Sequence, residues 1–110
     1  MNPKIYRQGD ILLVPIEDTP RNTKAVKREN GKLVLAHGEV TGHHHAFAED
    51  VRNVELVTAE QANELYLLVH GSSPAPLTHQ EHATIPVAPG RYRVQRQVEY
   101  APEAIRQVAD

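Results

Sequence analysis

Residues 25–37, with the sequence AVKRENGKLVLAH, give the clearest indication of the fold. Segments 25–29 and 32–37 flank the dipeptide Asn30-Gly31. This dipeptide is the one that best tolerates the two positive φ angles of a type I′ turn, the turn that joins two antiparallel strands most tightly. The stretch therefore predicts a β-hairpin.

A second hairpin is predicted from Pro89-Gly90, which separates residues 83–87 from residues 91–100. In 91–100 apolar and polar residues alternate, as in a strand with one buried face and one solvated face. The apolar residues of the chain are mainly aliphatic, with twelve Val, nine Leu and five Ile, and eight Pro and six Gly divide the chain into short segments. We therefore predict an all-β fold with little helix, a small barrel or sandwich forming a single domain over residues 1–110.

Composition excludes several classes of protein. At 110 residues with 40% hydrophobic residues, one domain can bury a core without a disulfide or a structural metal. The absence of cysteine excludes disulfides, thiolate metal sites and a cysteine nucleophile, and it agrees with a cytoplasmic location. A net charge of -2 gives no indication of nucleic-acid binding, and no apolar run is long enough for a membrane span or a secretory signal.

All seven histidines lie between His37 and His82, and the segment Gly42-His43-His44-His45 carries three of them. In an extended chain His43 and His45 project from one face and His44 from the other. Two imidazoles so placed can hold one divalent transition metal such as Zn, Fe, Ni or Mn. Glu49, four residues after His45, is a candidate third ligand if the chain bends.

A second cluster, His79-Gln80-Glu81-His82, follows downstream. In an extended chain His79 and Glu81 share a face and His82 takes the other, so all three can reach one site only if the segment turns. We predict that His82 is the downstream metal ligand. Glu81 and His79 are then the candidates for a catalytic acid or base, or for groups that orient a ligand.

The spacing His43-x-His45-x-x-x-Glu49 resembles the first motif of the cupin superfamily. This resemblance implies a small β-barrel in which two His and one Glu, joined by a His from a later strand, hold a metal. The chain also resembles a set of small bacterial proteins of unknown function. The resembling segments are Gln8-Gly9-Asp10, Thr41-Gly42-His43-x-His45, Glu81-His82 and residues 97–102.

Two other functions remain open at this stage. His70-Gly71-Ser72 and His82-Ala83-Thr84 resemble the paired motifs of the two-histidine phosphoesterases, in which no metal is needed. Alternatively, a small β domain pairs its edge strands in a homodimer and acts as an interaction module without chemistry. The leading hypothesis is a small metal-binding β-barrel protein, expected to form a homodimer. If that protein is an enzyme, it acts on a small-molecule substrate that the sequence does not identify.

Overall fold

The computed structural model describes residues 4–38, 42–59 and 64–97. Within these ranges the chain forms ten β-strands and no helix, so none of the described segments is a helix able to cross a membrane. The strands are β1 (Tyr6–Gln8), β2 (Ile11–Pro15), β3 (Thr23–Ala25), β4 (Leu33–His37), β5 (His44–Phe47), β6 (Val54–Ala59), β7 (Leu65–Val69), β8 (Ala75–Thr78), β9 (Ile85–Val87) and β10 (Gly90–Arg96).

The strands form two antiparallel sheets. The larger sheet has the order β1-β2-β10-β7-β6-β3, and the smaller has the order β4-β5-β8-β9. In the described part of the chain no ladder joins the outer strands of either sheet, so the fold is a sandwich and not a closed barrel. The prediction of an all-β fold is confirmed.

One hydrophobic core lies between the sheets. It takes Leu13 and Leu67 from the larger sheet and Phe47, Leu77 and Val87 from the smaller, each 0% exposed. Burial of each such side chain stabilises the fold by roughly 1.5–3 kcal/mol. Because these residues are aliphatic or aromatic, the sandwich is held together independently of the histidines.

The turn at Asn30-Gly31 is confirmed. Both residues have positive φ, 51° and 83°, as a type I′ turn requires. Glu29 and Lys32 exchange two backbone hydrogen bonds, of 2.8 and 3.0 Å. The hairpin ends after this one bridge, because the preceding strand β3 pairs with β6 in the other sheet.

The hairpin predicted at Pro89-Gly90 is wrong. Strand β9 pairs with β8 in the smaller sheet, whereas β10 pairs with β2 and β7 in the larger one. The connection between β9 and β10 therefore passes from one sheet to the other. A Pro-Gly dipeptide favours a reversal of the chain, but it does not determine which strand becomes the partner. Residues 98–100 of the predicted strand lie outside the described residues.

Candidate functional site

A pocket of about 310 Å³ gathers side chains from the turn between β1 and β2, the start of β5 and the loop between β8 and β9. Four of the seven histidines line it. The complete lining is Asp10, Gly38, His43, His45, His79, Glu81 and His82. All of these except Gly38 carry an ionisable side chain, so the pocket suits a polar or charged ligand.

The extended chain around β5 separates the three consecutive histidines. His43 and His45 line the pocket, and His45 is 1% exposed. His44 lines a different cavity together with His37, with their ring centroids 6.1 Å apart. This is the alternation of side chains expected along a strand.

The loop after β8 turns sharply at His79. The backbone N–H of Glu81 donates to His79 Nδ1 over 3.0 Å, and that of His82 donates to the same atom over 3.4 Å. This turn brings His79, Glu81 and His82 to one pocket, which an extended segment could not do. Since Nδ1 accepts, the proton of the neutral His79 ring is assigned to Nε2.

His79 occupies the middle of the histidine cluster. Its ring centroid is 4.4 Å from that of His45, 4.7 Å from that of His82 and 5.7 Å from that of His43. Partial burial, followed by the proximity of His82 and His43, lowers the pKa of His79 below its usual value. This shift favours the neutral imidazole of His79.

Gln8 determines which nitrogen of His45 faces the pocket. Both N–H bonds of the buried Gln8 amide are used, because Nε2 donates to Leu77 O over 2.8 Å and to Ala83 O over 3.0 Å. Its Oε1 lies 2.8 Å from His45 Nδ1 and can only accept. His45 Nδ1 is therefore the donor, and in the neutral ring Nε2 keeps its lone pair.

Asp10 lies beside that lone pair. Its Oδ1 is 3.3 Å from His45 Nε2, and its Oδ2 is 2.9 Å from Arg96 Nε. Burial, and after it the proximity of His79, lowers the pKa of His45, although Asp10 acts in the opposite direction. A neutral His45 therefore presents an electron pair next to a carboxylate.

Gly9 packs against two of the histidines that line the pocket, His45 and His82. Its φ is +58°, a value that side-chain-bearing residues rarely adopt. A Cβ at this position would also lie 2.7 Å from His82 Nε2 and 3.3 Å from His45 Cε1. Glycine is required here both by the turn and by the close approach of two imidazole rings.

The structure does not bring Glu49 to the pocket. Glu49 is exposed and lies against the turn at Gly31, where a Cβ on the glycine would be 2.9 Å from Glu49 Cδ. It follows β5 at the end opposite His43 and His45. Four residues of extended chain span about 13 Å, so a carboxylate at this spacing is too distant unless the chain turns back before it.

The sequence alone assigned no site role to Gln8, Gly9 or Asp10. All three belong to the Gln8-Gly9-Asp10 segment that resembles small bacterial proteins. A glutamine directly before a glycine turn and an apolar strand was the available signal. The role of this glutamine depends on its contact with His45, which lies 37 residues further along the chain.

The remaining histidines lie elsewhere. His37 Nε2 is 2.9 Å from Glu29 Oε1, and His70 Nε2 is 3.1 Å from Glu55 Oε1. His70 lines a cavity at the end of β7, separate from the one that contains His82. The structure therefore does not bring together the two histidines that the phosphoesterase hypothesis requires.

As they stand, no three His, Asp or Glu side chains in residues 4–38, 42–59 and 64–97 are arranged to hold a metal ion. Binding of an ion here would therefore require rotation of imidazole rings. Such rotamer changes are common on ligand binding and leave the backbone in place.

Comparisons with known proteins identify a family but no function. No curated protein and no solved structure matches the chain. One family model, a domain of unknown function named DUF8820, matches residues 7–97 and so includes every segment that lines the pocket. Since the match covers most of the chain, the protein belongs to the DUF8820 family.

Proposed function

We propose that the pocket binds one divalent transition-metal ion, with His45 Nε2 as the first ligand. The observation that carries this proposal is the environment of His45. Gln8 Oε1 accepts a hydrogen bond from His45 Nδ1–H, which leaves the Nε2 lone pair 3.3 Å from the Asp10 carboxylate. A lone pair and a carboxylate repel each other unless a proton or a cation lies between them, and the lowered pKa of His45 disfavours the proton.

His43, His82 and Asp10 complete the proposed ligand set. His43 and His82 line the same pocket as His45, and the rings of His45 and His82 are nearly parallel with centroids 6.3 Å apart. The pair His43 and His45 has the His-x-His spacing that the resemblance to cupins implies. The acidic ligand is Asp10, whose carboxylate is already beside His45, and not Glu49.

The donor types favour a particular class of metal. Imidazole nitrogens with one carboxylate suit Zn, Fe, Ni or Mn, whereas Mg and Ca prefer sites made of oxygen atoms. The hydrogen bond from His45 Nδ1 to Gln8 is the kind of outer contact that fixes the orientation of a metal-binding histidine. A proton on Nδ1 also directs the metal to Nε2.

If an ion held by these side chains left a coordination position open, it would supply the chemistry to activate water or to polarise an oxygen of a small-molecule substrate. Glu81 and His79 are the groups available for proton transfer. Glu81 Oε1 is 3.8 Å from His43 Nδ1, and its side chain is 65% exposed, so it is open to solvent. These two residues are candidate catalytic groups if the protein is an enzyme.

The test measures metal content in untagged protein, because a histidine tag would itself bind metal. The protein is stripped with a chelator and reloaded separately with Zn, Ni, Mn and Fe(II), and bound metal is counted by elemental mass spectrometry. We expect about one ion per chain in the wild type and almost none in His45→Ala. The matched controls His44→Ala and His37→Ala keep the ion, since their rings line the other cavity.

A pair of carboxylate variants tests the choice of acid. Asp10→Asn lowers the metal affinity at least about tenfold because it removes a charged ligand, whereas Glu49→Gln leaves the affinity unchanged. Circular dichroism confirms that each variant is folded. Absence of metal from the wild type under all conditions, or equal loss from His44→Ala and His45→Ala, would refute the proposal.

A further inference from the structure

We propose that the pocket also binds a small oxyanion beside the metal ion, and that His79 recognises it by donating the Nε2–H hydrogen bond. This inference rests on the proposed metal site and identifies the class of ligand that the site takes. It gives His79 a role different from that of its three neighbouring histidines, which are the proposed metal ligands. The oxyanion is a carboxylate or a phosphate, since both offer the same accepting oxygens.

The hydrogen bonds of the loop assign this role to His79. Its Nδ1 accepts the backbone N–H groups of Glu81 and His82, so this nitrogen is not free to bind a metal. The neutral ring then carries its proton on Nε2, the nitrogen nearer the tip of the side chain. His79 is therefore held as a hydrogen-bond donor by its own loop.

The position of the ring suits a ligand bound next to the ion. His79 is the histidine with ring contacts to all three of the others in the pocket, at centroid distances of 4.4 to 5.7 Å. Any ion held by His43, His45 and His82 would thus lie close to the His79 ring. A donor at this position is satisfied by an oxygen atom that is itself bound to the ion.

Charge selects an anion over a neutral molecule. A divalent ion would balance the carboxylates of Asp10 and Glu81, the two acids that line the pocket. Arg96, whose Nε is 2.9 Å from Asp10 Oδ2, then leaves this region with a net positive charge. A volume of about 310 Å³ without apolar side chains in its lining suits a small, charged ligand.

The test uses protein loaded with Co(II), whose visible spectrum changes when an exogenous ligand joins the coordination sphere. Inorganic phosphate and acetate are titrated separately, so that the two arms distinguish phosphate from carboxylate. His79→Gln places a side-chain N–H near the position of Nε2, whereas His79→Asn places its polar atoms near Nδ1 and leaves the Nε2 position empty. The two variants therefore separate the donor from the contact that shapes the loop.

We expect His79→Asn to weaken binding of the preferred anion about tenfold with the Co(II) content unchanged, as for loss of one hydrogen bond to a charged group. We expect His79→Gln to stay within about threefold of the wild type. Equal anion affinity in His79→Asn and the wild type, or no spectral change with either anion, would overturn this inference but not the proposed metal site. Loss of Co(II) from both variants would make His79 a metal ligand and also overturn it. Failure of the wild type to bind Co(II), Zn, Ni, Mn or Fe(II) would overturn the metal site itself.

Discussion

The replacement of Gln8 by Leu tests how the site is built. Gln8 is 3% exposed, and its amide makes three hydrogen bonds, to Leu77 O, to Ala83 O and to His45 Nδ1. Leucine fills a similar volume but satisfies none of these partners. The substitution therefore removes the group that connects the end of β1 with β8, the loop after β8 and His45.

The expected loss of stability follows from these three hydrogen bonds. Each hydrogen bond contributes about 0.5–1.5 kcal/mol, and each buried partner left unpaired adds to the loss. We expect the free energy of unfolding of the metal-free protein to fall by about 3–5 kcal/mol. The metal affinity should fall by about 10–100-fold, the range found when an outer contact to a metal-binding histidine is removed.

Gln8→Glu separates the effect of Gln8 on the stability of the fold from its effect on the orientation of His45. A glutamate oxygen still accepts from His45 Nδ1, but the side chain has no N–H for Leu77 O or Ala83 O. We therefore expect reduced stability together with a metal affinity close to that of the wild type. Gln95→Leu is the control, because Gln95 is a half-buried glutamine of β10 that does not line the pocket.

The assay combines urea unfolding, metal titration by calorimetry and ¹⁵N NMR of the imidazole nitrogens. NMR distinguishes a protonated from an unprotonated ring nitrogen, and a purely structural role of Gln8 would not alter this signal. We expect the Nδ1–H form of His45 in the wild type and in Gln8→Glu, and a mixture of tautomers in Gln8→Leu. An unchanged tautomer and unchanged metal affinity in Gln8→Leu would refute the reasoning.

Two further predictions concern Gly9, which packs against two of the pocket histidines, and Tyr92 in the core. Gly9→Ala should abolish metal binding or weaken it by at least tenfold, because the new Cβ would lie 2.7 Å from His82 Nε2. Gly71→Ala should preserve the affinity, since Gly71 also has positive φ but a Cβ placed on it would have no atom within 4 Å. Equal metal affinities of the two variants, measured by calorimetry, would contradict this prediction. Burial raises the pKa of Tyr92 from 10.0 to about 12. As the pH rises, the unfolded chain therefore loses the Tyr92 proton before the folded protein does. The free energy of unfolding should fall by about 1.4 kcal/mol per pH unit between pH 10 and 12. Tyr92→Phe should remove that part of the fall in urea unfolding, and an identical alkaline slope in both proteins would show that Tyr92 is not its source.

The local features of this chain were predictable because neighbouring residues determine them. The Asn30-Gly31 turn depends on the φ angles of two residues. The separation of His44 from His43 and His45 depends only on the extended chain. These features require no knowledge of which strands become neighbours.

The assembly of the pocket was not predictable, because it depends on contacts between distant segments. Gln8 and Asp10 reach His45 across 37 and 35 residues of sequence. The loop at His79 turns through hydrogen bonds from backbone groups to a side chain, which no residue pattern in the segment indicates. Glu49 fits a spacing motif, yet it follows the extended strand β5 at the end away from the histidines.

Anomalous diffraction at the zinc edge, from crystals of untagged protein loaded with zinc, tests the proposed metal centre most directly. We expect one strong peak in the pocket, about 2.0–2.1 Å from His45 Nε2, with His43, His82 and Asp10 as neighbours and His45 Nδ1 still on Gln8. A peak beside His37 and His44 instead, or no ordered zinc at full loading, would contradict the assignment of this pocket as a metal centre.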